Sequence, residues 1–523
     1  MHNLFENFLS KTKFITVLLA LFVGGFARGA GVTLVTHGFN SSIDGWIIPM
    51  AGKMAQYPAL PGTNSSCYEL SITRNAQSQY VALATLISGV EPLVANSGEI
   101  FIKLDWSTLS GIGGASSTVI ANAAASALFS TNLISALGGR SLTELPLHLA
   151  GHSRGGSVVS EMARLLGAQG LWVDHVTTLD PRPVGSLGDP AMKNYANILF
   201  ADNYWQNLGD GLFVPNGQSI AGAYNRQLTD LNGGDSSSHT DVHLWYHATI
   251  DTNVSLTVDF ATINATQRQT WWKSNETAGA TAGFFYSLMG GGDRLSNLEP
   301  AGAGNGRVRD GYNKVWDLGA GVATNRDALP ANNGAWPNLL KLNVTSTNRL
   351  SVDDPIALSF YTQSGATTSL TSEVRFFLDQ DANPYTANNV EIFQTNILST
   401  GTSHVALNSL NLLLDRTNTP PGTYNLFARI YDGVHARYLY ASQKVSILPS
   451  RNAPGLSAPR LENAQLHFNI NGFIGQTVVV QTSSNLLQWT SLSTNTLGLA
   501  PLEVVSQPVS SLSPRFYRAA LVQ

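Results

Sequence analysis

Five residues, Gly151-His152-Ser153-Arg154-Gly155, raise the chemical question. They follow the pattern G-x-S-x-G, in which a serine sits at the tip of a turn so tight that glycine is needed two residues to either side. A serine hydroxyl is a weak nucleophile until a base takes its proton. That base in turn needs an acid to fix its tautomer and stabilise its charged form. Asp180 is the acid of choice. It closes the β-branched run Val173–Leu179 and precedes Pro181, and the carboxyl ends of parallel strands are where open α/β sheets gather their chemistry. Asp174, near the start of the same run, is the weaker acid. The base comes from Ser236–His247, which holds three histidines. His239 follows a Gly/Ser-rich loop and precedes an apolar run, which suits a base on a loop over the sheet edge; His243 is the second choice. His243 and His247 continue at helical spacing, as packing or surface residues do. His239, Asp241, His243 and His247 also admit a metal reading, but no Glu follows the first His as in zinc proteases.

The elements that must hold these groups are legible around them. Leu147-His148-Leu149-Ala150 reads as a short buried strand, and Val158, Val159, Met162, Leu165 and Leu166 share one face of a following helix. The serine is then at a helix N-terminus, whose free N–H groups favour developing negative charge. The Arg154 amide is one such donor. A second comes from Val32-Thr33-Leu34-Val35-Thr36-His37-Gly38-Phe39, an apolar strand ending in His-Gly. Gly38 permits a sharp turn that aims the Phe39 N–H at the oxyanion.

These blocks together resemble the pancreatic-lipase-type branch of the α/β-hydrolases. The matching residues are Thr36-His37-Gly38-Phe39 with Trp46, Asp105-Trp106-Ser107, Gly151 to Gly156, Leu179-Asp180-Pro181, and His239 with Trp245-Tyr246 after it. The resemblance spans residues 31 to 250. It implies an α/β-hydrolase fold, a mostly parallel sheet with flanking helices, and a triad of Ser153, Asp180 and His239. It implies an oxyanion hole from the Phe39 and Arg154 amides, and ester hydrolysis, of lipid esters in particular, without cofactor. Family members from animals pin a lid between acid and histidine with disulfides. This chain has one cysteine, Cys67, and carries Ala201–Asp235 in that place, a cover or a long loop. An amidase or an esterase acting on glycan acyl groups stays open, as does an inactive surface binding protein.

A chain of 523 residues exceeds one core. The formal net charge of -4 and the absence of a basic stripe exclude a nucleic-acid partner. Residues 1–29 read as a signal peptide, with Lys11 and Lys13 ahead of the apolar Phe14–Val23 and small residues after it. A secreted or cell-surface protein of bacterial type is the expectation. The hydrolase region is assigned to 30–336. Residues 338–449 alternate at period two, as in an immunoglobulin-like β-sandwich, and 460–523 form a small C-terminal β module after a Pro-rich linker. The module's Ser484–Trp489 and Arg515–Arg518 resemble the tail repeated in exported bacterial surface proteins; the resemblance names no ligand and leaves cell-surface or polysaccharide contact and a passive spacer equally open. Asp379, Asp381 and Asn383 sit at alternate positions, as calcium ligands do. Pro384 replaces the expected glycine and no Glu closes the loop, so a solvated hairpin loop is preferred over a structural calcium site.

Overall fold

The computed structural model describes residues 31–56, 64–93, 97–209, 214–231, 237–251 and most of 334–522, with short pieces between 256 and 329. The proposed signal segment 1–29, the glycine run at 290–293 and Asp310–Asn313 lie outside the described residues.

The apolar run Val32–Thr36 forms β1, the centre of an eight-stranded sheet. The other strands are β2 (Asn64–Arg74), β3 (Tyr80–Gly89), β4 (Ser97–Asp105), β5 (Leu147–His152), β6 (Val173–Leu179), β7 (Ile198–Trp205) and β8 (Tyr224–Gln227). Their order is β3-β2-β4-β1-β5-β6-β7-β8, parallel throughout except for β3, which runs antiparallel to β2 at the edge. Strands β1, β5 and β6 are buried along their whole length, as parallel strands covered on both faces must be. Four helices flank the sheet: α1 (Ile47–Gln56), α2 (Ser117–Phe129), α3 (Arg154–Ala168) and α4 (Ser238–Ile250). Helix α2 packs on α3, and α1 on α4. The N-terminal half is thus a mixed, mostly parallel sheet with few helices, and the C-terminal half is β-rich.

Part of the expected cover is sheet instead. Residues 198–205 are β7, and Tyr204 is fully buried between Trp245 and Tyr246. Its aromatic character serves the core. Leu212 and Phe213 lie outside the described residues.

Residues 337–448 fold into a three-stranded and a six-stranded sheet around a common core of Phe360, Phe376, Leu378, Leu426 and Ile430. This part is bound firmly to the first sheet. The Arg437 guanidinium is buried, donating to the carbonyls of Thr143, Leu145 and Trp172 and to Asp174. Trp172 Nε1 donates to Gln363 Oε1 at 2.8 Å, and Phe427 and Tyr438 join the N-terminal core. All these contacts fall at the amino-terminal ends of β5 and β6.

The solvated-loop reading of Asp379, Asp381 and Asn383 gives way to a buried one. All three are buried. Asp379 Oδ1 accepts from Asp381 N, Asp381 Oδ1 from Asn383 N, and Asn383 Oδ1 from Tyr385 N. Tyr440 O–H donates to Asp379 Oδ2 at 2.6 Å, and Asn383 Nδ2 donates to Pro92 O. Oxygen side chains at alternate positions close successive turns on the backbone and dock the loop on the first sheet. The linker expected before residue 460 is also shorter: a strand already runs Gly455–Glu462, with Pro459 at an irregularity between Ser457 and Arg460. The tail forms two three-stranded sheets over Phe468, Ile470, Val478 and Val480. Residues 484–488 are a bend within it rather than a strand.

Candidate active site

Parallel register brings the proposed residues together. Thr36 lies beside Gly151, His152 beside Leu179, and Leu179 beside Tyr204. Gly38, Ser153, Asp180 and Gln206 therefore stand just past the carboxyl ends of four neighbouring strands, about 4.8 Å apart from strand to strand.

Ser153 has φ 55 and ψ -122, a conformation a side-chain-bearing residue rarely adopts. The crossing of β5 and α3 imposes it. A Cβ on Gly151 would come within 2.2 Å of Gly155 O, so the close approach demands glycine. The turn is pinned by Ser153 N donating to Leu179 O at 2.8 Å and Arg182 N donating to Ser153 O at 3.1 Å. The Ser153 side chain makes no helix-capping bond, although it occupies the N-cap position.

His239 Nδ1 donates to Asp180 Oδ2 at 2.5 Å, and Asp180 is fully buried. His239 is not on a loop. It lies in the first turn of α4, which Ser237 caps by accepting from Thr240 N. The rigid helix start sets the ring's direction more firmly than a loop would. Among the described residues no hydrogen bond joins Ser153 Oγ to His239; this contact commonly tightens only with substrate bound. The residue before the serine does touch His239: the rings of His152 and His239 are 4.7 Å apart and His152 Nε2 donates to His239 O at 2.9 Å.

The rival assignments separate in space. Asp174 lies at the opposite end of β6, bonded to Arg437 and to Leu147 N. His243 stacks on Trp46 at 4.5 Å. Burial, then the charges of His239 and His247, push the His243 imidazole down to about 3; burial brings His247 to about 4. Both are neutral packing residues rather than surface ones. With His239 turned to Asp180 and His243 under Trp46, the metal reading of His239, Asp241, His243 and His247 has no common point, and no group of metal-holding side chains occurs among the described residues.

Phe39 and Arg154 flank the serine. A Cβ on Gly38 would meet Ser153 Cβ at 2.7 Å and Oγ at 3.1 Å, so the Gly38-Phe39 turn lies directly against the Ser153 side chain. Behind it the His37 ring is held at 3.0 Å from Gly38 O, 3.2 Å from Trp106 N and 3.3 Å from Asp105 Oδ1. The Arg154 side chain points away and is buried in a two-pronged pair with Asp189, Nε–Oδ2 2.6 Å and Nη2–Oδ1 2.8 Å, over the Trp106 ring. Burial alone would raise the Asp189 carboxyl; Arg154 and the amides of Ser117 and Val184 outweigh it and hold the group below the ordinary carboxylate range.

The sequence reading missed Gln206, which donates to both oxygens of Asp180, and the Arg154–Asp189 pair. Gln206 follows β7 where that strand leaves the sheet beside Asp180, which is its sole sequence signal.

Comparison with known proteins adds no identity. No known family matches the chain, and no curated protein matches it. Among solved structures, a CARDB domain from Pyrococcus furiosus in complex with di-metal ions matches 22% of this chain and 97% of its own, at 12% identity and TM-score 0.16. A β-glucosidase from Erythrobacter marinus matches 24% of this chain and 18% of its own, at 12% identity and TM-score 0.16. Red sea bream transglutaminase matches 35% and 29%, at 8% identity and TM-score 0.15. Function is therefore argued from the site itself.

Proposed function

We propose that this protein is a serine carboxylic-ester hydrolase of the α/β-hydrolase type, exported from the cell, that works through an acyl-enzyme. The observation that carries the reading is the strained Ser153, φ 55, at the strand-to-helix tip, one strand away from a buried Asp180 bonded at 2.5 Å to His239. The strand order and the sequence of nucleophile, acid and base along the chain support it.

Ser153 Oγ attacks the ester carbonyl carbon while His239 Nε2 takes the hydroxyl proton. Asp180 accepts the Nδ1–H and stabilises the imidazolium. The oxyanion receives N–H groups of Phe39 and Arg154, each worth roughly 3 kcal/mol in sites of this kind. The tetrahedral intermediate collapses, the C–O bond to the alcohol breaks, and His239 returns its proton to the leaving alkoxide. Water, deprotonated by His239, then attacks the acyl-serine and releases the acid. Exposed Phe39, Ile112 and Leu208, on loops that adjoin the Gly38 turn or Gln206, favour an ester with an apolar acyl group. Their loops meet the site through Asn40 N donating to Ser110 O, and through Leu208 N donating to Gln206 Oε1.

The test is hydrolysis of nitrophenyl esters from acetate to palmitate by the wild type and by Ser153→Ala, Asp180→Ala and His239→Ala. Residues acting as one unit should each cost roughly four to six orders of magnitude in kcat. Equal inertness of wild type and variants on every chain length would reject the reading.

A further inference from the structure

Asp180 is fully buried. Among the described residues its carboxylate is bonded by His239 and otherwise only by Gln206: Gln206 N donates to Oδ1 at 2.8 Å and Gln206 Nε2 to Oδ2 at 2.8 Å. Gln206 is itself fully buried, and its amide has one allowed orientation. Oε1 accepts from Leu208 N at 2.6 Å, Gly209 N at 3.2 Å and Ser238 Oγ at 3.1 Å. Nε2 also donates to Pro215 O at 2.8 Å. A flipped amide would set oxygen against a carboxylate and a carbonyl, and NH2 against two N–H donors. Ser238 adjoins His239, so the same amide links the residue before the base to the acid.

We propose that Gln206 is a positioning residue of the triad, keeping Asp180 ionised and aimed at His239 Nδ1 and so governing how readily the Asp180–His239 pair takes a proton. This rests on the hydrolase reading above. A glutamine that merely tied down its loop would need only the contacts to Leu208, Gly209 and Pro215. Two N–H groups converging on one buried carboxylate replace the cation that a buried charge otherwise requires.

The experiment is the pH dependence of Ser153 labelling by a fluorophosphonate probe on the full chain, with thermal unfolding measured alongside, for wild type, Gln206→Glu and Gln206→Met. The titratable groups facing His239 are Asp180, His152 and His243. Burial holds His152 well below the usual imidazole range and His243 at about 3, so the acidic limb reports the Asp180–His239 pair. Glutamate keeps the shape and the acceptor but turns an oxygen toward Asp180. The added negative charge stabilises the imidazolium, and the midpoint of the acidic limb should rise by about one pH unit. Methionine removes the donor without adding charge and should move the limb the same way by less; it carries the test alone where the glutamate variant does not fold. A folded variant whose limb superimposes on the wild type overturns the proposal. Wild-type protein that takes no label at any pH overturns the hydrolase reading, and this inference with it, before any variant is compared.

Discussion

Asp174 lies near the start of β6 and Asp180 just past its end, and replacing Asp174 or its partner Arg437 separates stability from catalysis. Arg437 reaches from the β-sandwich into the amino-terminal ends of β5 and β6, donating to three carbonyls and to Asp174. Both side chains are almost completely buried, at 2% and 6% exposure. Arg437→Met leaves Asp174 as a buried charge without its cation. Removing one partner of such a pair costs about 3–5 kcal/mol, roughly a thousandfold in the folded-to-unfolded ratio. Asp174→Asn strands the guanidinium and should cost a similar amount. The double variant should cost less than the sum, by about 2 kcal/mol, because neither charge is then left alone. Catalysis should be spared. Asp180 follows Asp174 by six residue steps, about 20 Å at 3.3 Å per residue. The assay is urea unfolding followed by tryptophan fluorescence, beside ester hydrolysis per probe-titrated Ser153. The reasoning is refuted if Asp174→Asn loses orders of magnitude in turnover at unchanged stability, or if Arg437→Met leaves the unfolding midpoint where it was.

Three further outcomes follow from the same geometry. Gly38→Ala puts a methyl 2.7 Å from Ser153 Cβ and should lower kcat/KM by roughly a hundredfold or more, beyond the 1–3 kcal/mol of overpacking seen in unfolding; unchanged turnover would mean that the Gly38 turn does not border the reacting atoms. His243 titrates at about 3 in the fold and near 6.5 unfolded, so its contribution to stability is lost as pH falls from 6.5 toward 3. His243→Phe, which keeps the ring over Trp46, should gain about 2 kcal/mol on wild type between pH 8 and pH 5 in paired denaturation curves, and parallel curves would contradict the burial argument. Calcium or a chelator should leave Tm unchanged, because the oxygens of Asp379, Asp381 and Asn383 are taken by N–H and O–H donors; a rise of several degrees with calcium would restore the metal reading.

The nucleophile turn was legible because its constraint is local: a strand, a crossing helix and two glycines within five residues determine the backbone whatever surrounds them. That Asp174 stands near the start of β6 and Asp180 just past its carboxyl end was legible too, since position along a parallel strand decides which end of the sheet a side chain reaches. His239 was preferred for its place between a Gly/Ser-rich loop and an apolar run, and the loop assigned to it proved to be a helix start because Ser237 supplies the cap. Residues 201–235 were read as a cover or a long loop, yet Tyr204 and Trp205 end a core strand.

The chain by itself determined the local frame of the proposed site, a strand-to-helix turn at Ser153 and a strand running up to Asp180, and a β-rich second half. Only the tertiary structure decided what surrounds them. Gln206 meets Asp180 across 26 residues and Arg437 meets Asp174 across 263. Spacing within a segment reports local backbone geometry, whereas a buried charge is satisfied by whichever donor the packed sheet and sandwich bring to it. The three oxygens at Asp379, Asp381 and Asn383 could equally close turns or hold a cation. Burial against the first sheet, with N–H groups already in place, made them turns.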